Sequence, residues 1–444
     1  MQKDMLFWIW LSDVLGAASR DFRTLIGLYE NPYDLFHADE EELERIEGIS
    51  TRTKTVLSNK SLQRATEILD ACERLGIGIL PYSDPAYPNA LHELKEPPVL
   101  LYYSGTLPNF NRLLSVGMVG TRRMSAYGMQ SAYRIGYELA SVGVVVVSGM
   151  AAGIDGVCAA AALAAKGLTV AVLGCGLDVV YPRHHKVLMD EIRKNGALVS
   201  EYPPGTRPNH YHFPIRNRLI SGLSQGTVVI EAGIESGSLI TAKDAILQGR
   251  DVFALPANVG SHGAEGTNGL LRDGANLVLG TADILKPYQY VYAESLRMEA
   301  LAKAENASRA DLHYLERLGV IELTHRIGEK QPPVRAAEAS EPAKKSVKAP
   351  VAKKKEEPKA TPPHETETVY REVPKEKSKT PDAVLSSLTP VQLAVLQAIP
   401  DDRAVTADFL SGLGYPYGDT VAALTMLEIL GLIQKLPGAL YTKS

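Results

Sequence analysis

The sequence predicts an α/β protein with a doubly wound, mostly parallel sheet. From about Tyr82 to Lys286, short apolar runs alternate with helical stretches, the pattern of strands joined by crossover helices. The runs are continuously apolar, so their strands should be covered on both faces. Strands are predicted at 115–119, 144–147, 169–173, 197–199, 227–230 and 252–255.

Composition limits what else the chain can be. A length of 444 residues predicts more than one folded unit, and 45% apolar with 22% charged residues is ordinary for globular protein. The net charge of -4 restricts any nucleic-acid site to a local patch. The apolar run Leu6–Leu11 is too short to span a bilayer, and no small-residue cleavage site follows it. We expect a cytoplasmic protein without signal peptide or membrane span.

The three cysteines, Cys72, Cys158 and Cys175, have no C-x-x-C spacing and no neighbouring histidine cluster. That usage predicts a reducing compartment and no structural metal. Nothing in the sequence calls for a cofactor.

Residues 1–75 have the helical spacing of a small all-α domain, of the helix-hairpin-helix or SAM-like type. Within it, LERIEGISTRTKTVL resembles a helix-hairpin-helix, whose turn can aim backbone N–H groups at a phosphate. Ser50 stands where the second hairpin glycine would be. Two interpretations remain, a phosphate grip and a module that only packs, and the missing glycine favours packing.

Three segments follow the α/β domain, which we place at 76–290. Residues 291–327 are predicted to form a helical extension, and 328–382, rich in Pro, Lys, Glu and Ala, a disordered linker whose lysines either touch DNA or are simply solvated. Residues 383–444 read as a winged helix with a hairpin turning at Pro437-Gly438. Its third helix, 418–431, has no Lys or Arg, which favours a protein-contact or regulatory role over base readout.

Ligands of open α/β sheets bind where strands end and helices begin, so the four loops at those points should carry the function. In the first loop, Gly120 permits a tight turn, Thr121 supplies a hydroxyl, and Arg122 and Arg123 supply forked donors that match phosphate. Ser125 should cap the next helix.

In the second loop, Ser148, Gly149 and Gly153 let the backbone approach a ligand. Asp155 is more readily explained as a helix cap, or as a residue that orients a neighbouring loop, than as a catalytic acid. The third loop contains Cys175 between two glycines, with no base beside it in sequence that would make it a nucleophile.

After the third loop, Arg183 and Lys186 lie in the first turn of a helix, where cations are unfavourable unless an outside anion offsets them. The fourth loop joins rings, arginines and a hydroxyl-rich helix start. Rings beside arginines suit a single-stranded site, although Phe213 could equally pin the loop to the core. Its predicted DNA contacts are Phe213, Arg216, Asn217, Arg218, Ser236, Gly237 and Ser238.

The chain resembles the DprA/Smf family. The matching blocks, in the family's order and spacing across residues 116–275, are VGTRRMSAYG, SGMAAGID, VLGCGLDVVYP, FPIRNRLISGLS, EAGIESGSLITA, GRDVFALPA and GTNGLLRDGA. The resemblance implies an extended Rossmann-like domain whose positive pocket holds single-stranded DNA, homodimerisation through that domain, and loading of the RecA recombinase during natural transformation, without catalysis. It assigns phosphate contacts to Gly120, Thr121 and Arg122, to the basic residues after Tyr181-Pro182, and to Arg216-Asn217-Arg218. The chain has His185 where the family often has Asn, and Ala257 where it often has Gly.

Two enzyme classes are alternatives. Phosphoribohydrolases share the fold, but EAGIESGSLITAKDA lacks their glycine pair and offers only Asp244 as a carboxylate. An NAD-dependent oxidoreductase needs a G-x-G-x-x-G turn, which the first loop does not have.

Overall fold

A computed structural model of the chain describes residues 2–261, 263–322 and 388–400, together with short stretches between 405 and 443. The chain divides into two compact units, Met1–Glu338 and Ala339–Ser444. The predicted linker at 328–382, and the last residues of the predicted helical extension, lie outside the described residues.

The first unit begins with short helices that pack around a buried apolar core. Ile9 and Leu11 of the first helix, with Phe22 and Leu25 of the second, are fully buried there. Asn31, Asp39 and Ser50 each cap the helix that follows them. The helices are α1 Gln2–Leu15, α2 Phe22–Tyr29, α3 Pro32–His37, α4 Glu40–Arg45, α5 Thr51–Leu57 and α6 Gln63–Leu75.

An internal carboxylate occupies the start of α5, where a helix-hairpin-helix would hold phosphate. Asp21 accepts hydrogen bonds from the Ser50 amide at 3.0 Å, the Ser50 hydroxyl at 2.9 Å and the Thr53 hydroxyl at 2.6 Å. Burial opposes the charge, but these hydrogen bonds hold the pKa of Asp21 below its ordinary value. A second anion would meet a carboxylate here, which supports the packing interpretation.

A mostly parallel sheet forms the centre of the unit, as the sequence predicts. Its order is β1-β2-β6-β5-β4-β3-β7-β8-β9, in which β1, β2 and β6 pair antiparallel and the remaining neighbours pair parallel. The strands are β1 Gly78–Pro81, β2 Leu100–Gly105, β3 Ser115–Val119, β4 Val145–Ser148, β5 Thr169–Leu173, β6 Gly196–Ser200, β7 Gly226–Val229, β8 Asp251–Ala254 and β9 Asn276–Leu277.

The sequence prediction missed the two antiparallel strands and the terminal one. β1 contains a glycine and a proline, which weaken a strand signal and are tolerated at a sheet edge. β9 has only two residues, both exposed, so it lacks an apolar run. The predicted bounds of β3 and β5 agree with the structure, and those of the other four strands differ by one residue at each end.

Helices cover both faces of the sheet. Val116 and Val146 belong to one buried cluster with the front helices, whereas Val145 and Val147 of the same strand β4 belong to a second cluster on the opposite face. This division explains why the predicted strands are apolar without alternation. The helices are α7 Asn89–His92, α8 Ala126–Ser141, α9 Ile154–Ala164, α10 Lys186–Asn195, α11 His212–Gly222, α12 Ser238–Leu247, α13 Glu265–Arg272 and α14 Thr281–Leu285.

The predicted helical extension contains α15 Leu301–Ala307 and α16 Leu312–Arg317. It is joined to the sheet domain through Glu138 of α8, whose side chain is fully buried. This carboxylate accepts hydrogen bonds from the hydroxyls of Thr281, at 2.5 Å, and Ser308, at 2.7 Å. The extension therefore packs against the α/β domain.

In the second unit, Thr389 caps α17 Pro390–Ala398 and forms a capping box with Gln392. The strands are β10 Val405–Thr406, β11 Ile433–Leu436 and β12 Leu440–Lys443, ordered β10-β12-β11. The antiparallel pair β11–β12 corresponds to the predicted hairpin, whose turn lies outside the described residues. The winged helix remains a prediction.

Candidate nucleic-acid interface

A cleft of about 1060 Å³ lies at the carboxyl ends of the central strands. The chain builds the sheet outward from β3 through β4, β5 and β6, and then crosses back to add β7 on the other side of β3. The strand order reverses between β3 and β7, where open α/β sheets bind ligands. The loops after these two strands both line the cleft, and ten of the predicted site residues line it. These are Gly120, Thr121, Arg122, Arg123, Phe213, Arg216, Asn217, Ser236, Gly237 and Ser238.

Glu231, which the sequence analysis did not single out, holds the first loop. Its backbone carbonyl accepts from the Thr121 amide at 2.8 Å, and its carboxylate accepts from the Ser125 amide at 2.9 Å. The side chain is buried. Ser125 also caps α8 as predicted, because its hydroxyl accepts from the Gly128 amide. The only sequence signal for Glu231 was its position directly after an apolar strand.

The second loop packs against the first through backbone atoms. The Ile154 amide donates to the Thr121 carbonyl at 3.2 Å. Gly153 has a φ of +83°, and a Cβ at this position would lie 2.8 Å from the Cα of Arg122. A side chain there would be strained and would displace the first loop, Gly120–Arg123, which we call the arginine loop. Gly153 therefore lets the second loop pack closely against the first. Ser148 is buried, and its hydroxyl donates to the Met118 carbonyl.

Aromatic rings and guanidinium groups stack on one side of the cleft. The ring of Phe213 lies 5.3 Å from that of Tyr181, with an angle of 26° between the planes. The guanidinium carbon of Arg122 lies 5.5 Å from the centre of the Phe213 ring. Arg122 is exposed, so its donors face the open cleft while its position is fixed by the ring.

Arg216, predicted to contact DNA, is almost wholly buried. Its Nη1 atom donates to the carbonyl oxygens of Gly149, at 2.7 Å, and Val172. The Asp155 carboxylate accepts from the amide of the same Gly149 at 3.1 Å. Burial raises the pKa of Asp155 and lowers that of Arg216, and each charge partly offsets the effect on the other. These two residues position the second loop, as the sequence analysis suggested for Asp155.

The start of α12 faces the cleft without a side-chain cap. The hydroxyls of Ser236 and Ser238 lie 2.8 Å apart, and nothing crowds the position a Cβ would take on Gly237. Asn217 connects this helix start to α11, because its amide donates to the Gly237 carbonyl at 3.3 Å. The first-turn amides of Leu239 and Ile240 already donate to the carbonyls of Ser236 and Gly237, so the serine hydroxyls are the donors that this end offers an anion.

Three predicted cations lie away from the cleft. Arg218 is buried, and its guanidinium pairs with Glu201 at 2.5 Å. Lys186 is exposed and pairs with Asp190 beside a separate hollow of about 260 Å³. Arg183 is exposed in the 3-10 turn Arg183–His185, two residues after Tyr181. Direct phosphate contact is thus geometrically open to Arg183 and Lys186 at the flank, but not to Arg218, whose charge is enclosed.

The cleft carries charges of both signs. Exposed Arg122 and Arg123 line it, but so do exposed Glu235 and Glu265. The positive pocket that the resemblance implies is therefore a local one around the first loop. An anion would be bound by placed donors rather than by a broad positive field.

Cys175, considered above as a nucleophile, is buried, and burial raises the pKa of its thiol to about 11. Such a thiol is mostly protonated and unreactive at neutral pH. The described residues contain no group of three or more His, Cys, Asp and Glu side chains placed to hold a metal ion. Among the same residues, no helix is long and apolar enough to cross a membrane.

The fold and the cleft define a class: an open α/β protein whose cleft combines arginines, stacked rings and a hydroxyl-rich helix start at the reversal of strand order. Comparisons with known proteins give the family. Residues 78–289 match the family model described as DNA recombination-mediator protein A. A Smf protein from Synechocystis is 30% identical over 444 residues, covering 99% of both chains, and DNA processing protein DprA from Bacillus subtilis is 41% identical over 219 residues, covering 49% of this chain and 74% of its own.

An X-ray structure of DNA processing protein A from Streptococcus pneumoniae is similar in fold, with a TM-score of 0.55 and 34% sequence identity, over 63% of this chain and 97% of that one. The chain belongs to the DprA/Smf family of DNA-processing recombination mediators.

Proposed function

We propose that this chain binds single-stranded DNA in the cleft without sequence preference, protects it, and passes it to the RecA recombinase during natural transformation and homologous recombination. It does so as a cytoplasmic mediator and not as an enzyme. The observation that carries the proposal is the exposed Arg122 guanidinium, held over the Phe213 ring at the mouth of the cleft. A fixed cation beside stacked rings suits a strand whose phosphates and bases are both accessible.

The phosphate contacts fall to two elements on opposite sides of the reversal point. Arg122 and Arg123, with Gly120 and Thr121, offer side-chain and backbone donors after β3. Ser236 and Ser238 offer hydroxyls at the start of α12. Phosphates held by such contacts give affinity without base identity, which accounts for sequence independence. Exposed Arg183 and Lys186 would bind the strand at the flank.

Bases have a stacking surface in the same cleft. The Tyr181–Phe213 pair is partly exposed, and the exposed Tyr211 lies two residues before Phe213. Stacking tolerates any base because every base presents a flat face. Duplex DNA keeps its bases stacked on each other, so it should bind more weakly.

We also propose a homodimer formed through the α/β domain. Strand β9 ends the sheet, and Leu277 and Leu279 beside it are 49% and 74% exposed. An open edge with exposed apolar side chains is commonly covered by a partner. Analytical ultracentrifugation of the full chain and of Leu279→Glu tests this: a dimer that dissociates in the variant is expected, and a wild-type monomer would contradict it.

Fluorescence anisotropy of labelled oligothymidylate tests the DNA site. We expect salt-sensitive binding that prefers single strands to duplex, and at least a tenfold loss (about 1.4 kcal/mol) for Arg122→Ala. Arg112→Ala is the matched control, because Arg112 is exposed just before β3, at the amino end of that strand and therefore opposite the cleft. Binding that is indifferent to Arg122 would contradict the proposed site.

Two further measurements bear on the remaining parts of the proposal. Faster RecA filament assembly in the presence of the wild-type chain, but not of Arg122→Ala, is expected if the bound strand is handed over. Release of free base from a nucleoside monophosphate would instead favour the phosphoribohydrolase alternative, for which Asp244 is the available carboxylate.

A further inference from the structure

We propose that the DNA site continues beyond the cleft along the exposed face of α8, where Arg123, Tyr127 and Arg134 form a track for the strand leaving the cleft. This inference rests on the proposed function and extends it. Arg123 lines the cleft immediately before α8. Tyr127 and Arg134 are seven residues apart, close to two helical turns, so they share a face and lie roughly 10 Å apart along the axis.

Both side chains are exposed and held in place. Tyr127 is 49% exposed, and its hydroxyl donates to the Pro256 carbonyl at 2.9 Å, which fixes the ring at the surface. The Arg134 side chain is 50% exposed, and its Nε donates to the buried Glu138 carboxylate at 2.9 Å. No hydrogen bond to the terminal amino groups of Arg134 is found among the described residues, so these donors remain available.

The partner of Arg134 is itself fixed from two other elements. Glu138 accepts hydrogen bonds from the hydroxyl of Thr281, the first residue of α14, and from the hydroxyl of Ser308, which follows α15. A surface arginine usually loses side-chain entropy when it binds a ligand, and this one has already lost part of that freedom on folding. Arg134 is therefore preorganised to receive a phosphate.

The chemistry of the helix face fits a single-stranded nucleic acid. An exposed ring between two guanidinium groups supplies one stacking surface and two phosphate contacts. Glu138 is the sole acidic residue of α8, and it is buried, so no carboxylate on the exposed face of this helix repels a phosphate. The cleft itself has Glu235 and Glu265 among its lining residues, which makes the helix face the less repulsive route for the strand.

Oligothymidylates of two lengths separate this track from the cleft. A short oligonucleotide that fills only the cleft is compared with one about three times as long, within the usual site sizes for single-strand binding. Anisotropy titrations use the full chain. We expect Tyr127→Ala to weaken the long oligonucleotide at least about fivefold and to leave the short one unchanged. Tyr127→Phe, which keeps the ring but loses its hydrogen bond to the Pro256 carbonyl, should weaken the long oligonucleotide less than Tyr127→Ala does and leave the short one unchanged.

Arg134→Gln should reduce the slope of log affinity against log salt by about 0.7 for the long oligonucleotide only. Arg112→Gln, just before the amino end of β3, serves as control and should change the salt dependence for neither oligonucleotide. Because Arg134→Gln removes the partner of a buried carboxylate, thermal unfolding is used to check the stability of that variant. If Arg134→Gln is unstable, the test rests on Tyr127→Ala.

Equal losses for both lengths, or no loss for the long one, overturn the track while leaving the cleft intact as the DNA site. Failure of the wild type to bind even the short oligonucleotide overturns the proposed function as well. The two failures are therefore distinguishable.

Discussion

The Nη1 atom of Arg216 lies 2.7 Å from the carbonyl oxygen of Gly149. The sequence predicts that this arginine contacts DNA, but in the structure its guanidinium is hydrogen-bonded in the protein interior. The Asp155 carboxylate accepts a hydrogen bond from the amide of the same glycine. The loop after β4 is consequently held at both polar groups of one residue. This arrangement separates two arginines of the cleft by role, Arg122 facing solvent and Arg216 supporting the floor.

Arg216→Ala should lower the free energy of unfolding by about 1–3 kcal/mol or more, because it removes the donor to the buried carbonyls of Gly149 and Val172 and a charge that offsets the burial of Asp155. DNA affinity should fall with it. Arg122→Ala should change stability by no more than about 0.5 kcal/mol, as expected for an exposed side chain, and still weaken DNA binding. Urea unfolding, measured together with anisotropy, distinguishes the two variants. An Arg216→Ala protein as stable as the wild type would show that the hydrogen bond from Arg216 to Gly149 is dispensable.

Glu231→Ala should weaken DNA binding although it removes a negative charge. The loss of the acceptor for the Ser125 amide, typically worth about 1–3 kcal/mol when buried, frees the arginine loop that the carboxylate holds. Glu231→Gln keeps an oxygen at that place and should recover most of the affinity. Repulsion alone predicts the reverse, tighter binding by both variants, and anisotropy titration of the pair decides between the two.

The buried ion pair between Arg218 and Glu201 predicts a recovery by double substitution. Arg218→Met leaves an unpaired buried carboxylate and should cost about 3–5 kcal/mol of stability. Adding Glu201→Gln removes that charge and keeps an acceptor for the Ala18 amide, which donates to the carboxylate at 3.1 Å. Urea midpoints of the single and double variants measure this, and an equally unstable double variant would point to lost packing instead.

Stability should fall between pH 6.5 and pH 4 because of His185. Burial lowers the pKa of this histidine from 6.5 to about 4, and the nearby His184 adds to the effect. Within that window the unfolded chain binds more protons than the folded one, so stability decreases as the pH falls, by about 3 kcal/mol in total, and levels off below it.

His185→Asn removes the titrating ring and retains a donor for the Met150 carbonyl, which accepts from the Nδ1 side of His185 at 3.1 Å. Thermal unfolding from pH 7 to pH 4 should give a flatter profile for the variant. Parallel profiles would assign the acid sensitivity to other groups.

Much of the sheet could be predicted because strands covered on both faces leave long apolar runs, as 115–119 and 169–173 show. β1 and β9 could not, since an edge strand of four residues with Gly and Pro, or of two exposed residues, leaves no such run. Each of the four predicted loops does follow a strand of the sheet, because the apolar runs that precede them are strands. Which of their cations face the cleft depends on helix rotation and on distant partners such as Glu201 and Gly149, and these are not encoded in local spacing. Glu231 was missed for the same reason.

The reversal of strand order has a consequence for synthesis. Arg122 leaves the ribosome early, but β7 comes only after α11. Strand β7 pairs with β3, from Val116↔Gly226 to Val119↔Val229, and the loop that follows it forms the other wall of the cleft. A nascent chain that has emerged only through β6 has the arginine loop but neither Glu231 to hold it nor the start of α12 to face it. The site is therefore expected to mature only after translation has passed this far, and an unfinished chain beside its own messenger RNA, itself a single strand, would have no complete cleft in which to capture it.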